Sequence, residues 1–418
     1  MIPAICAGFG GRSMGEGRWG TPGHRDWLLA EAERQFGFFR GSLVPGRGLA
    51  VLDLAGEPIS GAAQELHTVT RLVHAYALGQ VMGAGGAAEI VDRGIEELWS
   101  RHRDPVHGGY VWAVDEGGIR DGRKLAYGHV FVLLAAASAL EVGHPRADAL
   151  LADVAEVLET RFWDEVPGRF ADEWARDWAP FSTYRGMNAN MHGVEALMAA
   201  HEATGEAAFL TRAARIAAFF TGEMAPAHGW RIPEHYGADW RVDEDYAGDP
   251  VFRPPGTTPG HALEWARLIL QLWDLGGRPG DGTVETARRL TRQALADGWD
   301  PERGGLVYTV GADGRVDRAE RYWWPVTEGI GALAALMKAD PRTEDALWYD
   351  RLWSFAESHL IDAPRGGWFP ELGPDNRPAC RQFAGKPDIY HSLQAALYPL
   401  TGGLSRPFAG LRALRRPV

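Results

Sequence analysis

Pairs of polar or aromatic side chains, three or four residues apart, recur at the beginnings of segments that are otherwise strongly apolar. On an α-helix such spacings place both members of a pair on one face. Histidine exchanges a proton near neutral pH and carboxylates can orient it, so these residue types fit proton transfer within a pocket. The pairs are His67 with Arg71, Asn188 with His192, His261 with Glu264, Trp324 with Glu328 and Asp388 with His391, and Tyr127 begins a further segment of this kind.

The chain around these residues has helical periodicity. Segments near 147–163 and 207–223 have one apolar stripe and a charged opposite face, as expected for outer helices. Segments such as VFVLLAAASAL at 130–140 and GIGALAALM at 329–337 are apolar on nearly every side and must be buried. The pattern predicts helices at 25–40, 63–82, 87–101, 126–141, 147–162, 188–204, 207–222, 260–275, 283–297, 322–338, 344–359 and 388–400.

Outer and inner character alternate along these predicted helices. Connections that leave inner helices are short, which suits antiparallel neighbours, whereas those that leave outer helices are long. A weak repeat follows four outer helices, and each copy is predicted as a turn with a short strand: DPVHGGYVW at 104–112, DEVPGRF at 164–170, DPERGGLVY at 300–308 and DAPRGGWF at 362–369. The sequence therefore predicts an all-α (α/α)6 barrel of about twelve helices, with short β-hairpins in its loops.

Two separate helical domains are the competing topology. No charged or Ser-rich linker divides the chain, so we expect one catalytic barrel domain at 25–418, preceded by a flexible tail at 1–24.

In a ring of helical hairpins, every inner helix begins at the same end of the barrel. The polar pairs lie in the first two turns of their inner helices, so we expect them to meet at one mouth beneath the long loops. Structural roles remain open for some of these residues. Arg71 can form an ion pair with Glu65 or another core carboxylate, Asn188 can cap its helix, and Glu264 and Glu328 can bind helix N-terminal amides. We expect structural roles for Trp323, His67, His74 and His129.

The composition excludes several classes of function. The 418 residues include 43 basic and 55 acidic side chains, and the net charge of −12 repels nucleic acid and anionic membranes. The longest apolar run is about half as long as a membrane span, and the first residues do not resemble a signal peptide. Cys6 and Cys380 form neither a disulfide framework nor a zinc motif. We therefore expect a cytoplasmic protein, and a homo-oligomer is compatible with the sequence.

Four separated stretches resemble one known family. They are MNANMHGVEALMAAHEATG at 187–205, TPGHALEWARLIL at 258–270, RYWWPVTEGIGAL at 321–333 and KPDIYHSLQAALYPL at 386–400. In this order they resemble the N-acylglucosamine 2-epimerase superfamily, and most closely its branch of mannose and sulfoquinovose isomerases, in which a Trp follows the Glu as in HALEW. The resemblance covers nearly the whole chain after about residue 25 and implies an (α/α)6 barrel.

The resemblance also implies the residues of the site. His261 and His391 match the two catalytic histidines of the family, which act on a monosaccharide without a cofactor or a metal. Arg253 is a further candidate contact. The sugar-binding positions of the family fall on Arg71, Tyr127, Asn188, His192, Glu264, Trp324 and Glu328.

The implied reaction interconverts D-mannose, or D-lyxose, with D-fructose or D-xylulose. His391 removes the proton at C2 and passes it to C1 through a cis-enediol, while His261 serves ring opening and the protons on oxygen; the reverse assignment is also compatible. Alternatives within the superfamily are a sulfoquinovose isomerase and a sugar 2-epimerase. A glycoside hydrolase using Glu264 and Glu328 is more remote, as is a sugar-binding protein without activity.

The chain is rich in tryptophan, with 17 residues. Several of them fall in the long loops or at the adjacent helix starts, where aromatic faces can stack on a sugar: Trp112, Trp174, Trp178, Trp323, Trp324 and Trp368.

Overall fold

Helices that are apolar on nearly every side form an inner ring. The computed structural model describes residues 17–246, 248 and 253–415. Among these residues the inner helices are α2 Leu66–Met82, α4 Ala126–Glu141, α6 Met187–Thr204, α9 Pro259–Leu275, α11 Trp323–Ala339 and α13 Tyr390–Leu397. Helix α4 is buried over almost its whole length, because its one charged residue, Glu141, is its last.

Amphipathic helices surround this ring. They are α1 Pro22–Phe39, α3 Ala87–Glu97, α5 Ala147–Val157, α7 Ala207–Ala217, α10 Thr283–Gly298 and α12 Thr343–Phe355. Helix α7 shows the pattern, since it buries Phe209, Ala213 and Ile216 against the ring. Four outer helices continue into π-helical turns at Leu98–His102, Leu158–Phe162, Ala218–Met224 and Ala356–Leu360.

The twelve helices predicted from the sequence are all present. Their ends lie within three residues of the predicted ones when the π-helical turns and a 3-10 turn at Tyr398–Leu400 are included. Two short helices, α8 Ala225–Ala227 and α14 Pro407–Leu414, were not predicted, because so few residues carry little periodic signal. Helix α1 begins at Pro22, within the stretch expected to be a tail, and residues 1–16 of that stretch lie outside the described residues.

The ring of inner helices is closed. Each packs against its neighbours in the order α2, α4, α6, α9, α11 and α13, and α13 packs against α2. Five outer helices pack on the inner helix that precedes or follows them in a hairpin, and α1 covers α13, so that the two ends of the chain complete the last pair. The architecture is the predicted (α/α)6 barrel.

Short strands lie in the long loops at one end of the barrel. They are β1 Leu43–Val44, β2 Gly48–Leu49, β3 Gln64–Glu65, β4 Ala113–Asp115, β5 Gly118–Asp121, β6 Lys124–Leu125, β7 Trp163–Asp164, β8 Arg169–Phe170, β9 Glu173–Trp174, β10 Arg185–Gly186, β11 His235–Tyr236, β12 Thr309–Val310, β13 Val316–Arg318, β14 Arg321–Tyr322 and β15 Glu371–Leu372. All of the paired strands run antiparallel.

Several of these pairings fix the beginnings of the inner helices. The residues just before α2, α4, α6 and α11 pair with the next loop around the ring, as β3 with β4, β6 with β9, β10 with β11 and β14 with β15. Single bridges fix the residues before α9 and α13 in the same way, Thr257 with Val310 and Lys386 with Leu52. The last link returns to the first loop, so the first turns of the inner helices are held together around one mouth.

The predicted repeat is confirmed as a turn followed by a paired residue. The backbone bridges that close its four copies are Arg103 with Tyr110, Trp163 with Phe170, Trp299 with Leu306 and Ile361 with Trp368. Glycines of each turn have positive φ, for example Gly108 at 71° and Gly109 at 67°, which explains the recurring glycine.

No helix among the described residues is long and apolar enough to cross a membrane. Cys380 is exposed and unpaired, and Cys6 lies outside the described residues.

Candidate active site

The first two turns of the inner helices present two levels of side chains at the mouth. At the upper level, the second or third residue of each helix is His67, Tyr127, Asn188, His261, Trp324 or His391. One turn deeper lie Arg71, Phe131, His192, Glu264 and Glu328. The two levels follow from the spacing of three or four residues that the sequence shows.

These side chains surround one cavity of about 670 Å³. Eight of the nine residues proposed from the sequence line it directly, and Glu328 lies behind His391. The structure adds lining residues that were not proposed as site residues: His67 and Asp388, which belong to the polar pairs, and Tyr308, Tyr322 and Phe383. His67, expected to be structural, stacks on Trp112 at 5.2 Å between ring centroids and faces the cavity.

His261 is held by a carboxylate from a different loop. Its Nδ1 lies 2.8 and 3.0 Å from the two oxygens of Glu234, which is 5% exposed. The backbone N–H of Thr258 also donates to Glu234, at 3.1 Å, which ties the carboxylate to the start of α9. A carboxylate only accepts, so the Nδ1 of His261 carries the proton and its Nε2 is the free nitrogen.

Glu234 was not among the residues predicted from the sequence, because it is not part of a polar pair with the spacing of a helix. Its carbonyl oxygen accepts the N–H of Met187, the first residue of α6, so Glu234 belongs to the backbone pairing between neighbouring loops. Trp112 occupies the matching place before α2, where it accepts the N–H of Leu66 and stacks on His67. A search of those loop positions for polar residues would have found Glu234.

His391 is held in the same way, by Glu328 of α11. Its Nδ1 lies 2.8 Å from Oε1 of Glu328. The other oxygen of Glu328 accepts from Nε of Arg267 at 3.1 Å and from Nη2 at 3.0 Å. The charge of Arg267 and the bond to His391 keep the pKa of Glu328 below its ordinary value although the residue is buried. His391 therefore also presents a free Nε2.

Arg71 forms an ion pair with a buried carboxylate. Its Nη1 donates to Asp388 at 2.8 Å and its Nη2 donates to the hydroxyl of Tyr127 at 2.8 Å, whereas Glu65 lies 3.5 Å from His67. The expected ion pair with a core carboxylate is therefore present, and its partner is Asp388, far along the chain, rather than Glu65. Arg71 lowers the pKa of Asp388, and the Nε of Arg71 has no hydrogen-bond partner among the described residues.

Glu264 and His192 lie next to each other in the cavity wall. Burial, together with the nearby charge of Glu328, raises the pKa of Glu264 well above its ordinary value. Burial lowers the pKa of His192 to about 4. Oε2 of Glu264 has no hydrogen-bond partner among the described residues and is available to a ligand. Nδ1 of His192 faces two carboxylates, at 3.5 Å from Glu195 and 3.6 Å from Glu264.

Asn188 does not cap its helix. Gly186 is the residue before α6, and Oδ1 of Asn188 is unpartnered among the described atoms. Its neighbour Asn190 instead bonds the backbone, since its Nδ2 donates to the carbonyl of Gly186 at 2.9 Å. Asn188 is therefore available as a hydrogen-bonding group in the cavity wall.

Trp324 contacts both catalytic candidates. Its ring centroid lies 4.8 Å from that of His261 and 6.0 Å from that of His391, with the planes inclined by 30° and 36°. Of the six loop tryptophans, only Trp323 and Trp324 line the cavity. The expectation that the others stack on a ligand was wrong, because their rings pack in the structure: Trp178, for example, packs on Phe162, and Trp368 donates to Glu31.

Three further predictions have clear outcomes. His74 bonds Ser138 at 2.7 Å and His129 bonds the carbonyl of Leu125 at 2.7 Å, so both are structural as expected. Arg253 does not line the cavity, because its guanidinium pairs with Glu173 at 2.9 Å and lies over the ring of Tyr184.

Two groups of described residues have ligand atoms close enough for a metal ion. They are His192 with Glu195 and Glu264, and Glu264 with Glu328 and His391, and in each the ligand atoms lie within 4.8 Å of one another. Arg267 already contacts the three carboxylates of these groups, at 3.0 Å from Glu328, 3.4 Å from Glu264 and 3.5 Å from Glu195. A guanidinium therefore supplies the positive charge that a metal ion would bring.

The arrangement is suited to moving protons on a small polar molecule. Two imidazoles line the same cavity, each with Nδ1 fixed by a carboxylate and Nε2 free, and both lie next to the ring of Trp324. Hydrogen-bonding groups of His192, Glu264, Asn188 and Tyr127 line the same cavity. Such a site can remove a proton from one atom and return it to another.

The chain is similar to known sugar isomerases over most of its length. The sequence model of the N-acylglucosamine 2-epimerase (GlcNAc 2-epimerase) family matches residues 48–395. A D-mannose isomerase of Thermobifida fusca is 40% identical over 385 residues, which are 90% of this chain and 94% of that protein. A D-mannose isomerase of Pseudomonas cannabina pv. alisalensis is 37% identical over 94% of this chain and 97% of its own. A crystal structure of D-mannose isomerase superposes with a TM-score of 0.85 and 32% identity, covering 91% of this chain and 99% of that one.

Proposed function

The chain belongs to the N-acylglucosamine 2-epimerase family, and we propose that it is an aldose–ketose isomerase that interconverts D-mannose and D-fructose. D-Lyxose and D-xylulose are the proposed secondary pair, because D-lyxose has the same configuration at C2 as D-mannose. The likeness to D-mannose isomerases over nine tenths of the chain supports this choice within the family.

One observation carries the proposal. His261 and His391 each donate from Nδ1 to a buried carboxylate, so each offers Nε2 to the same cavity, and a single sugar can touch both. Isomerisation needs two such groups, because one proton moves between carbon atoms while another moves between oxygen atoms. A protein that only binds a sugar needs neither.

The reaction proceeds through a cis-enediol. The cycle starts with a neutral His391 and with His261 protonated at both nitrogens. After the ring opens, Nε2 of His391 takes the proton from C2 of the aldose, and the electron pair shifts so that the carbonyl oxygen at C1 takes the proton from Nε2 of His261. His261 then removes the proton from the hydroxyl at C2, and protonated His391 delivers its proton to C1. The product has its carbonyl at C2, and both imidazoles return to their starting state.

The surrounding groups stabilise the charge that develops on the sugar oxygens. The inner helices begin at the cavity, and helix N-termini favour negative charge. Arg71 stands in the cavity wall, and the raised pKa of Glu264 favours its protonated carboxyl, which can donate a hydrogen bond to a sugar oxygen. These groups favour an enediolate-like state over the neutral sugar.

The charges in the cavity wall support an uncharged substrate. Arg71 is the only arginine or lysine among the described lining residues, and Asp388 neutralises it. A sulfonated or phosphorylated sugar would find no free cation there. This observation favours mannose over sulfoquinovose.

The carboxylates do not fit a glycoside hydrolase. Both oxygens of Glu328 are engaged, one by His391 and the other by Arg267, so this residue cannot attack a glycosidic carbon. Glu264 shares the same arginine at 3.4 Å. Hydrolysis needs an acid and a free carboxylate on opposite sides of the bond, whereas Glu264 and Glu328 have carboxylate oxygens within 4.8 Å of each other.

We further propose that catalysis is independent of metal ions. Arg267 lies between the carboxylates that could bind one, and its charge opposes a second cation. Dialysis against EDTA should leave the rate of mannose conversion unchanged. Loss of activity that only an added divalent metal restores would overturn this part of the proposal.

Incubation with sugars in D2O tests the reaction class. Mannose, lyxose, glucose, fructose and sulfoquinovose are supplied in turn, and NMR follows the products and the deuterium at C1 and C2. Isomerisation forms fructose from mannose, with deuterium entering C1. A 2-epimerase would instead form glucose labelled at C2, and formation of glucose ahead of fructose would contradict the proposal. His391→Ala should abolish conversion while sugar binding is retained.

A further inference from the structure

A buried ion cluster lies directly beneath the cavity. Arg267 is one turn below Glu264 on α9 and is 1% exposed. Its guanidinium contacts Glu328 of α11 at 3.0 Å, Glu264 at 3.4 Å, and Glu195 of α6 at 3.5 Å, and its Nη1 lies 3.3 Å from the side-chain oxygen of Gln271. One arginine thus connects three of the helices that form the site.

Arg267 does not reach the sugar cavity. It lines a second cavity of about 630 Å³ at the opposite end of the barrel, together with Glu195, His74 and Leu134. The ion cluster therefore separates the two cavities, and the part of it that meets the sugar consists of Glu264 and His391. Any effect of Arg267 on the reaction must pass through these neighbours.

The division of bonds around Glu328 suggests how that effect arises. Oε1 of Glu328 faces His391, whereas Oε2 takes both Nε and Nη2 of Arg267. A guanidinium binds a carboxylate in a fixed plane, so the position of Arg267 sets the direction in which Oε1 points. Gly331 of α11 permits this approach, since a Cβ there would lie 3.0 Å from Cδ of Arg267.

The charges beneath the site balance only with the arginine present. The groups that face Arg267 are Glu195 from α6, Glu264 and Gln271 from α9, Glu328 from α11, Tyr390 and His391 from α13, and His74 from α2. Without the arginine, no described basic side chain of permanent charge contacts these carboxylates. Glu328 would then bind a proton more readily and share it with His391.

We infer that Arg267 is a positioning residue for the proposed isomerisation: it keeps Glu328 ionised and aimed at Nδ1 of His391, so that Nε2 of this histidine stays free to act as the base. The inference rests on the proposed function, but it concerns a residue that does not touch the substrate. Arg267 was not among the residues predicted from the sequence.

Three variants test this role. Arg267→Met removes the charge and both bonds to Glu328, and we expect kcat to fall about 100-fold, with KM changed less than about threefold. Arg267→Lys keeps the charge but loses the planar pair of bonds, and kcat should fall about 10-fold. Gly331→Ala keeps every charge and shifts Arg267 slightly, with an intermediate loss. Arg288→Lys, at a fully buried arginine paired with Asp345 of an outer helix, is the matched control and should retain kcat.

The pH profile separates positioning from simple damage. In Arg267→Met the excess negative charge favours a proton on the pair of Glu328 and His391, so the acid limb of the kcat profile should move to higher pH. A merely structural role would lower kcat equally at all pH values, in proportion to the folded fraction measured by circular dichroism. That outcome, or an unchanged kcat, would overturn the inference.

Proton NMR without substrate gives a second readout. Each Nδ1–H held by a carboxylate should produce a downfield signal, one from His391 and one from His261, assigned by His391→Ala. Arg267→Met should shift or broaden the His391 signal and leave the His261 signal in place, because Glu234 does not contact Arg267. If both signals stay unchanged in Arg267→Met, the proposed role of Arg267 is wrong.

Activity of the wild-type protein separates this inference from the proposed function. If the wild-type protein shows no isomerase activity, the proposed function fails. If the wild-type protein is active and the variants are unaffected, only the role of Arg267 is refuted.

Discussion

Replacing Glu234 with glutamine tests whether the orientation of His261 depends on a charged partner. In the native protein, Oε1 of Glu234 accepts from Thr258 at 3.1 Å and from His261 at 2.8 Å, while Oε2 lies 3.0 Å from the same imidazole nitrogen. A glutamine can keep its oxygen at the first position. Its amino group then replaces Oε2 and faces the N–H of His261, so a donor meets a donor.

The expected loss follows from the bonds that change. A hydrogen bond to a charged group contributes about 1.5–3 kcal/mol. Each 1.36 kcal/mol in the barrier is about tenfold in rate, so kcat for mannose should fall about 10- to 150-fold. A larger loss, toward about 10⁴-fold, would indicate that the imidazole has switched to the other tautomer. KM should change little, because Glu234 does not line the cavity.

The assay measures fructose formation from mannose at saturating and limiting sugar. Glu97→Gln is the matched control, because Glu97 is 2% exposed, accepts a backbone N–H from Leu49 at 3.0 Å and a side-chain amide from Gln64 at 2.7 Å, and does not line the cavity. Both substitutions remove a buried charge that holds a loop. Thermal melting of both variants reports the cost to the fold.

Two results would refute the reasoning. If Glu234→Gln retains kcat within about twofold, the carboxylate does not orient a catalytic imidazole. If Glu97→Gln loses as much kcat as Glu234→Gln, the effect is a general consequence of loosened loops, and His261 needs no special partner.

Three further predictions address binding, stability and shape. Asp388→Asn should leave the charge of Arg71 without its partner, so that KM for mannose rises about fivefold. Competitive inhibition by an anionic sugar such as mannose 6-phosphate should become stronger. An unchanged inhibition constant would count against the ion pair of Arg71 with Asp388. Burial lowers the pKa of His74 from 6.5 to about 4, so the unfolded state binds more protons between these pH values and stability falls as the pH falls. His74→Gln should therefore reduce the slope of unfolding free energy against pH, measured with urea, by up to about 1.4 kcal/mol per pH unit, and an unaltered slope would contradict this. A Cβ at Gly260 would lie 2.5 Å from the ring of Trp324, so Gly260→Ala should lower kcat/KM at least about tenfold, whereas Gly37→Ala, with nothing within 4 Å, should retain activity.

The order and kind of the helices could be predicted from the sequence because helical periodicity is local. The all-apolar stretch after Tyr127 and the amphipathic stretch that contains Phe209 identify an inner and an outer helix without knowledge of the rest. Alternation of the two kinds then leaves few ways to bury the apolar faces. Helix α14 was not predicted, because its eight residues are too few to show a periodic pattern.

The meeting of the polar pairs at one mouth was also predictable. Arg71, His192 and Glu328 each lie on the sixth residue of an inner helix, and a closed ring brings equivalent positions to one level. The sequence thus identified the cavity wall before any contact was known. It also gave each member of a pair the correct face, because spacing alone decides that on a helix.

Only the tertiary structure decided which side chains bond to which. Asp388 reaches Arg71 across 317 positions of the chain, Glu328 reaches His391 across 63, and Glu234 reaches His261 across 27. Such partners come from different helices and loops, so no periodic pattern relates them, and buried charged groups pair with whatever opposite group the packing brings within reach. The sequence therefore determined where the two candidate histidines lie, and the packing of the ring determined which nitrogen of each faces a carboxylate.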